Sequence, residues 1–206
     1  MADAQVFHDA DEVALVAAAG ALEGGELVVF PTDTVYGVAA RPELRAATAA
    51  LFEAKRRPRD LTIPVLVAGP EQMAALAVAD GRAEMLAERF WPGSLTIVLP
   101  RTERSGAWDL GAELGTIALR MPDHPVALEV LRRSGPLATT SANRSGEPTP
   151  PDCEGVRAAL AGSVAVYLCA GPAPAGTVST MVDLTAGEPR VLREGALPGS
   201  DVLGAL

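Results

Sequence analysis

Aromatic side chains are scarce in this chain: four Phe, two Tyr and two Trp make up 4% of its 206 residues. The core must therefore be built from Ala, Val and Leu, and a hydrophobic content of 49% excludes general disorder. Cysteine and histidine are rarer still. Cys153 and Cys169 lack close metal-ligand spacing and His8 and His124 lie far apart, so neither a zinc site nor a disulfide framework is expected. No apolar run approaches the roughly 18 residues of a membrane span, and the opening MADAQVFHDADE is acidic where a signal peptide would be basic. These absences predict a soluble, cytoplasmic protein. Lys and Arg number 17 against 26 Asp and Glu, and the formal net charge of −9 argues against a protein that coats nucleic acid, since that affinity comes from clustered cations. It does not exclude a local basic pocket.

Two chemical signatures are also missing. There is no Gly-rich phosphate loop and no GxGxxG after a strand, so any nucleotide must be held by side chains. There is no nucleophile elbow with a Ser-His-Asp order, so hydrolase chemistry has no support.

What is present alternates between short apolar runs and helical patterns. Asp9 or Asp11 can cap a helix to about Leu22, ended by Gly24-Gly25, and Glu26 to Phe30 reads as a strand. Pro31 to Gly37, PTDTVYG, leaves that strand as a polar loop. Helical spacing of Leu44, Thr48, Leu51 and Phe52 predicts a helix from about Pro42 to Ala54, ending in Lys55-Arg56-Arg57-Pro58. Further strands are expected at 63–67, 95–99, 116–120, 137–140, 164–168, 180–184 and 190–193, with helices opening at Pro70, Ala83, His124-Pro125 and Asp152. The 20 Gly and 17 Pro fall between these elements, which leaves no interdomain linker. The pattern predicts one α/β domain over 1–206, with its motif-bearing core at about 9–195. Its architecture is a twisted mixed sheet, parallel and antiparallel, flanked by helices around a central cavity.

Each candidate site residue has an ordinary reading beside a functional one. Lys55 and Arg57 can complement a helix dipole, or hold phosphate oxygens. Ser141 and Asn143 in TTSANRSG can shape an Asx-type turn, or bind ligand. Arg120 ends the apolar strand Thr116-Ile-Ala-Leu-Arg120 and needs an anionic partner, either Asp123 or a ligand. Ser179 can begin a strand, and Arg193 can be an exposed strand-end cation.

The order PTDTVYG, KRRP, FWPGSLTIVL, LRMPDHP, TTSANRSG, STMVDL and VLREG, spanning Leu27 to Gly195, resembles the threonylcarbamoyl-AMP synthases of the YrdC-like fold, in their short single-domain form. The resemblance implies condensation of L-threonine, bicarbonate and ATP to threonylcarbamoyl-adenylate and pyrophosphate. The adenylate then serves a downstream transferase complex that modifies the adenosine beside the anticodon of tRNA, with weak tRNA contact by the chain itself. It places Thr34, Arg120, Ser141 and Ser179 around threonine. Lys55, Arg57, Thr116, Asn143 and Arg193 fall on the ATP side, with Lys55 and Arg57 catalytic. Mg2+ is carried by the ATP phosphates rather than by protein side chains. Leu61, Leu66, Pro151 and Cys169 depart from the residues common in that family. Two other readings stand beside it: a non-catalytic RNA-binding protein of the same fold, and a synthase acting on another carbamoyl compound.

Overall fold

Val28, Val29 and Phe30 are completely buried, and alternation along this one strand divides the interior in two. Leu27 and Val29 face a large cluster that includes Tyr36, Val38, Leu51, Ile97 and Leu119. Val28 and Phe30 face a smaller one with Ala14, Leu22, Val130 and Leu137. The computed structural model describes residues 4–112, 114–170 and 175–206. Among them are ten strands: β1 (Gln5–Phe7), β2 (Val28–Phe30), β3 (Gly37–Ala40), β4 (Val65–Leu66), β5 (Leu95–Pro100), β6 (Thr116–Arg120), β7 (Leu137–Ser141), β8 (Val166–Leu168), β9 (Thr180–Asp183) and β10 (Arg190–Arg193). The helices are α1 (Glu12–Glu23), α2 (Arg45–Lys55), α3 (Pro70–Leu76), α4 (Gly81–Phe90), α5 (Glu103–Gly106), α6 (Pro125–Ser134), α7 (Cys153–Ala159) and α8 (Gly199–Leu203).

All ten strands form one sheet in the order β1-β8-β2-β3-β7-β4-β6-β5-β9-β10. Parallel pairs (β1 with β8, β2 with β8, β4 with β6, β5 with β9) mix with antiparallel ones, as the sequence predicts. Asp11 caps α1 by accepting from the Ala14 N–H, which decides between the two candidate caps. At the same end of α1, Arg133 of α6 donates to both Glu12 oxygens at 2.8 Å, tying α6 to the start of α1.

Four elements escape the sequence pattern, among them the single-turn helix α5. β3 is a continuous buried run, GVAA, with no polar alternation to announce it, yet it pairs with β2 and β7 and so makes PTDTVYG the connection of a hairpin. β1 and α8 lie near the two ends of the chain.

The cysteines require a correction. Cys153 and Cys169 form a disulfide, with Cα atoms 5.5 Å apart and a sequence separation of 16. The fold seats the start of α7 beside the end of β8, a proximity that sequence spacing does not show. Part of the loop expected at Gly171 to Gly176, residues 171–174, lies outside the described residues.

Candidate active site

The PTDTVYG loop is shaped by Thr32. Its hydroxyl donates to the Val35 carbonyl at 2.6 Å and accepts from the Thr34 and Val35 N–H groups, folding the chain tightly as it leaves β2. This turn presents Thr34 and Asp33 to the end of β6. There Arg120, 6% exposed, donates from Nη1 to Thr34 Oγ1 at 2.8 Å, from Nη2 to Asp33 Oδ1 at 2.5 Å and from Nε to the Gly93 carbonyl at 2.9 Å. The partner that Arg120 requires is thus Asp33, not Asp123. Asp123 contributes only its backbone N–H, to Asp33 Oδ1 at 3.1 Å.

Helix α2 ends with Arg56 in the left-handed region, φ 50°, which swings Arg57 out of the helical path. Neither basic side chain flanking it caps the helix. Arg57 donates from Nη2 to the Thr62 carbonyl at 2.8 Å, and its Nε is buried without a partner. Lys55 is 1% exposed and turns the other way, its Nζ donating to the carbonyls of Ser141 and Asn143 and to Asn143 Oδ1. Asn143 shapes its own turn, donating to the Arg144 and Glu147 carbonyls and accepting from Thr149 Oγ1. On the far wall, Arg193 of β10 donates to the Ser179 carbonyl and hydroxyl at 2.8 to 3.0 Å, and Ser179 Oγ lies 2.7 Å from Thr96 Oγ1.

These elements enclose a cavity of about 310 Å³. It gathers Thr34, Arg57, Arg120, Ser141, Ser179 and Arg193 from the nine residues singled out in the sequence, with Thr32, Thr62, Thr96, Thr139 and Thr140 adding hydroxyls. Leu61 and Leu66 supply apolar wall. Lys55 and Asn143 lie behind the Ser141 turn rather than on the cavity surface. Thr116 lines an adjoining, more apolar pocket of about 220 Å³, which shares Thr62 and Met181 with the first.

Burial lowers the pKa of all three cavity arginines. The Arg193 charge adds to this at Arg57 and Arg120, while Asp33 opposes it at Arg120. Guanidinium starts so far above neutrality that all three remain cations. Arg120 is compensated by Asp33. Among the described residues, Arg57 and Arg193 form no ion pair. The Asp60 charge opposes the lowering at Arg57, and two guanidinium groups without a paired carboxylate in a partly desolvated cavity favour a bound anion. Burial, and then the Arg57 charge, pushes the Lys55 amine down to about 7. Three oxygen acceptors match the three protons of its ammonium form and leave none for a ligand.

The Sua5–YciO–YrdC family, described as telomere recombination, matches residues 20–195. The chain belongs to this family. A Mycobacterium tuberculosis member, provisionally named as a threonylcarbamoyl-AMP synthase, is 49% identical over 183 residues, covering 88% of this chain and 83% of its own length. The threonylcarbamoyl-AMP synthase of Pyrococcus abyssi is 42% identical over 187 residues, 90% of this chain and 55% of its own. The crystal structure of P. abyssi Sua5 complexed with L-threonine superposes with a TM-score of 0.89 at 37% identity, covering 100% of this chain and 62% of that one. The chain therefore spans just over half the length of these archaeal family members.

Sequence reasoning missed Asp33 as a site residue, although it stands inside the motif. The available signal was a carboxylate between Thr32 and Thr34 at the exit of a buried strand, which needs a cationic partner when buried. Gly93, Thr62 and Thr96 carried no signal, because they act through backbone carbonyls or an ordinary strand hydroxyl.

Proposed function

We propose that this cavity binds L-threonine and ATP and that the chain is a threonylcarbamoyl-AMP synthase. The observation that carries the reading is the pair of guanidinium groups that form no ion pair, Arg57 and Arg193, in the same cavity as an Arg120 already fixed by Asp33 and Thr34. One anion-binding position is preorganised for a small carboxylate, and a second, more strongly positive one suits a polyphosphate. The names of the family members and the threonine complex of the Pyrococcus protein support the same assignment.

In this reading Arg120, Thr34, Ser141 and Ser179 hold threonine. Its neutral amine attacks bicarbonate, forming a carbamate and releasing water, and enclosure protects the carbamate from loss of CO2. A carbamate oxygen then attacks the α-phosphorus of ATP, forming the new P–O bond as the bond to pyrophosphate breaks. Arg57 and Arg193 stabilise the charge that builds on the phosphate oxygens and on departing pyrophosphate. Lys55 and Asn143 serve this step by fixing the Ser141 turn, and Thr116 meets the nucleotide through the adjoining pocket. Mg2+ fits here as a companion of the ATP phosphates. The cavity offers cations and hydroxyls, and among the described residues no group of three or more His, Cys, Asp or Glu could hold a metal.

The product is an activated acyl-adenylate that a downstream tRNA threonylcarbamoyl transferase complex consumes in the cytoplasm, with only weak tRNA contact by this chain. No helix among the described residues is long and apolar enough to cross a membrane. Pyrophosphate release is measured with ATP and bicarbonate, with and without L-threonine. Release that requires threonine is expected, and release indifferent to threonine defeats the assignment.

A further inference from the structure

The shape of the Arg120 fork is decided behind the cavity wall. A guanidinium carries five N–H groups. Arg120 uses three within the protein: Nε on the Gly93 carbonyl, one on Nη1 to Thr34 Oγ1 and one on Nη2 to Asp33 Oδ1. One N–H remains on each terminal nitrogen, the pair that a carboxylate engages in bidentate fashion. Asp33 does not line the cavity, although Arg120 and Thr34 do. Both oxygens of its carboxylate are engaged: Oδ1 accepts from Arg120 and from the Asp123 N–H at 3.1 Å, and Oδ2 accepts from Ser94 Oγ at 2.9 Å. These bonds draw three separate segments together at one carboxylate, namely the loop after β2, the turn before β5 and the turn after β6.

We propose that Asp33 is the positioning residue of the substrate-carboxylate site, holding Arg120 so that its two spare N–H groups face the cavity as a fork. The inference rests on the reading that Arg120 grips the carboxylate of threonine. Position and charge make opposite demands here. Asn at 33 keeps an oxygen at the Oδ1 position for Arg120 and the Asp123 N–H, and its amide can donate to Ser94 Oγ, so the geometry survives without the charge. Glu keeps the charge but carries the carboxylate one methylene further, displacing the guanidinium.

The test is a comparison of Asp33→Asn and Asp33→Glu with the unmodified protein, by steady-state pyrophosphate release and by calorimetric titration with L-threonine. Asp33→Glu is expected to raise KM for threonine about tenfold or more while changing KM for ATP less than about twofold. Asp33→Asn is expected to raise KM for threonine about threefold at most. If Asp33→Asn is the more damaged of the two, charge rather than position is the requirement and the proposal is overturned. Equal rises in both KM values, tracking a loss of thermal stability, overturn it as well by showing a merely structural role. Should neither variant fold, Ser94→Ala removes only the Oδ2 bond. A threefold rise confined to threonine then supports the proposal, and an unchanged threonine KM overturns it. Threonine heat from the unmodified protein that is matched by Asp33→Glu sinks the proposal but leaves the threonine reading standing. Absence of that heat from the unmodified protein sinks the reading, and the proposal with it.

Discussion

Lys55 and Arg57 stand two residues apart at the end of α2, but the fold treats them differently. Lys55 is sealed against three oxygens of the Ser141 to Asn143 turn, whereas Arg57 lines the cavity with one donor on a carbonyl and a buried Nε on nothing. The left-handed residue between them, Arg56, separates the two directions. A motif of neighbouring cations is therefore two devices. One is a structural clamp whose hydrogen bonds are complete, and the other is an electrostatic surface left incomplete for a ligand. The same division recurs across the cavity, where Arg120 is largely satisfied by the protein and Arg193 has hydrogen bonds but no countercharge.

The largest effect that sharpens this contrast is on stability. Lys55→Met keeps chain length and removes a donor from three oxygens, of which the Ser141 carbonyl still accepts from the Asn143 N–H and Asn143 Oδ1 from Thr149 Oγ1, so that the Asn143 carbonyl is the one stranded. At about 1–3 kcal/mol for a stranded buried group, a loss of about 1–3 kcal/mol is expected in chemical denaturation. A midpoint equal to that of the unmodified protein would show that the turn holds itself and that Lys55 is available to substrate. Arg57→Ala is expected to do the opposite: turnover falls at least about tenfold, or about 1.4 kcal/mol, with little change in the denaturation midpoint. Loss of stability without loss of turnover would return Arg57 to a purely structural role.

A third effect is on pH dependence. The Lys55 amine is depressed to about 7 in the fold from an ordinary 10.5. Between those values the unfolded chain binds more protons than the folded one, so this group's contribution to stability rises with pH from about 7 towards 10.5 and is absent below 7. The three oxygens on Nζ favour the ammonium form and limit the shift. The denaturation midpoint of the unmodified protein relative to Lys55→Met should climb over that window. A flat difference would mean that the lysine stays fully charged in the fold.

Much of the architecture is legible in the sequence, because β-branched runs such as Leu95 to Leu99 and capped amphipathic stretches such as Pro125 to Ser134 carry their own period. Strand β3 is not, since GVAA is buried throughout and reads as the tail of a loop. The cavity residues are legible as chemistry, yet their partners are not. Asp33 and Arg120 are 87 residues apart, and Asp123, three positions from Arg120, is the nearer carboxylate in sequence. Cys153 and Cys169 meet because the fold brings the start of α7 to the end of β8. What escapes is long-range pairing that depends on sheet order, a property of ten strands together rather than of any local stretch.

The turn that supplies Gly93 to Arg120 also carries Trp91, whose indole Nε1 donates to the Leu95 carbonyl at 2.7 Å. The chain has one other tryptophan, Trp108, on a separate groove with Arg101 and Asp109. With Trp108 replaced by Phe, Trp91 is the single indole left, and a ligand that engages Arg120 is expected to shift the Gly93 carbonyl and with it the surroundings of that indole. Emission can then be followed in real time without label, coupling enzyme or radioactive substrate, and stopped-flow mixing gives the order in which the two substrates arrive.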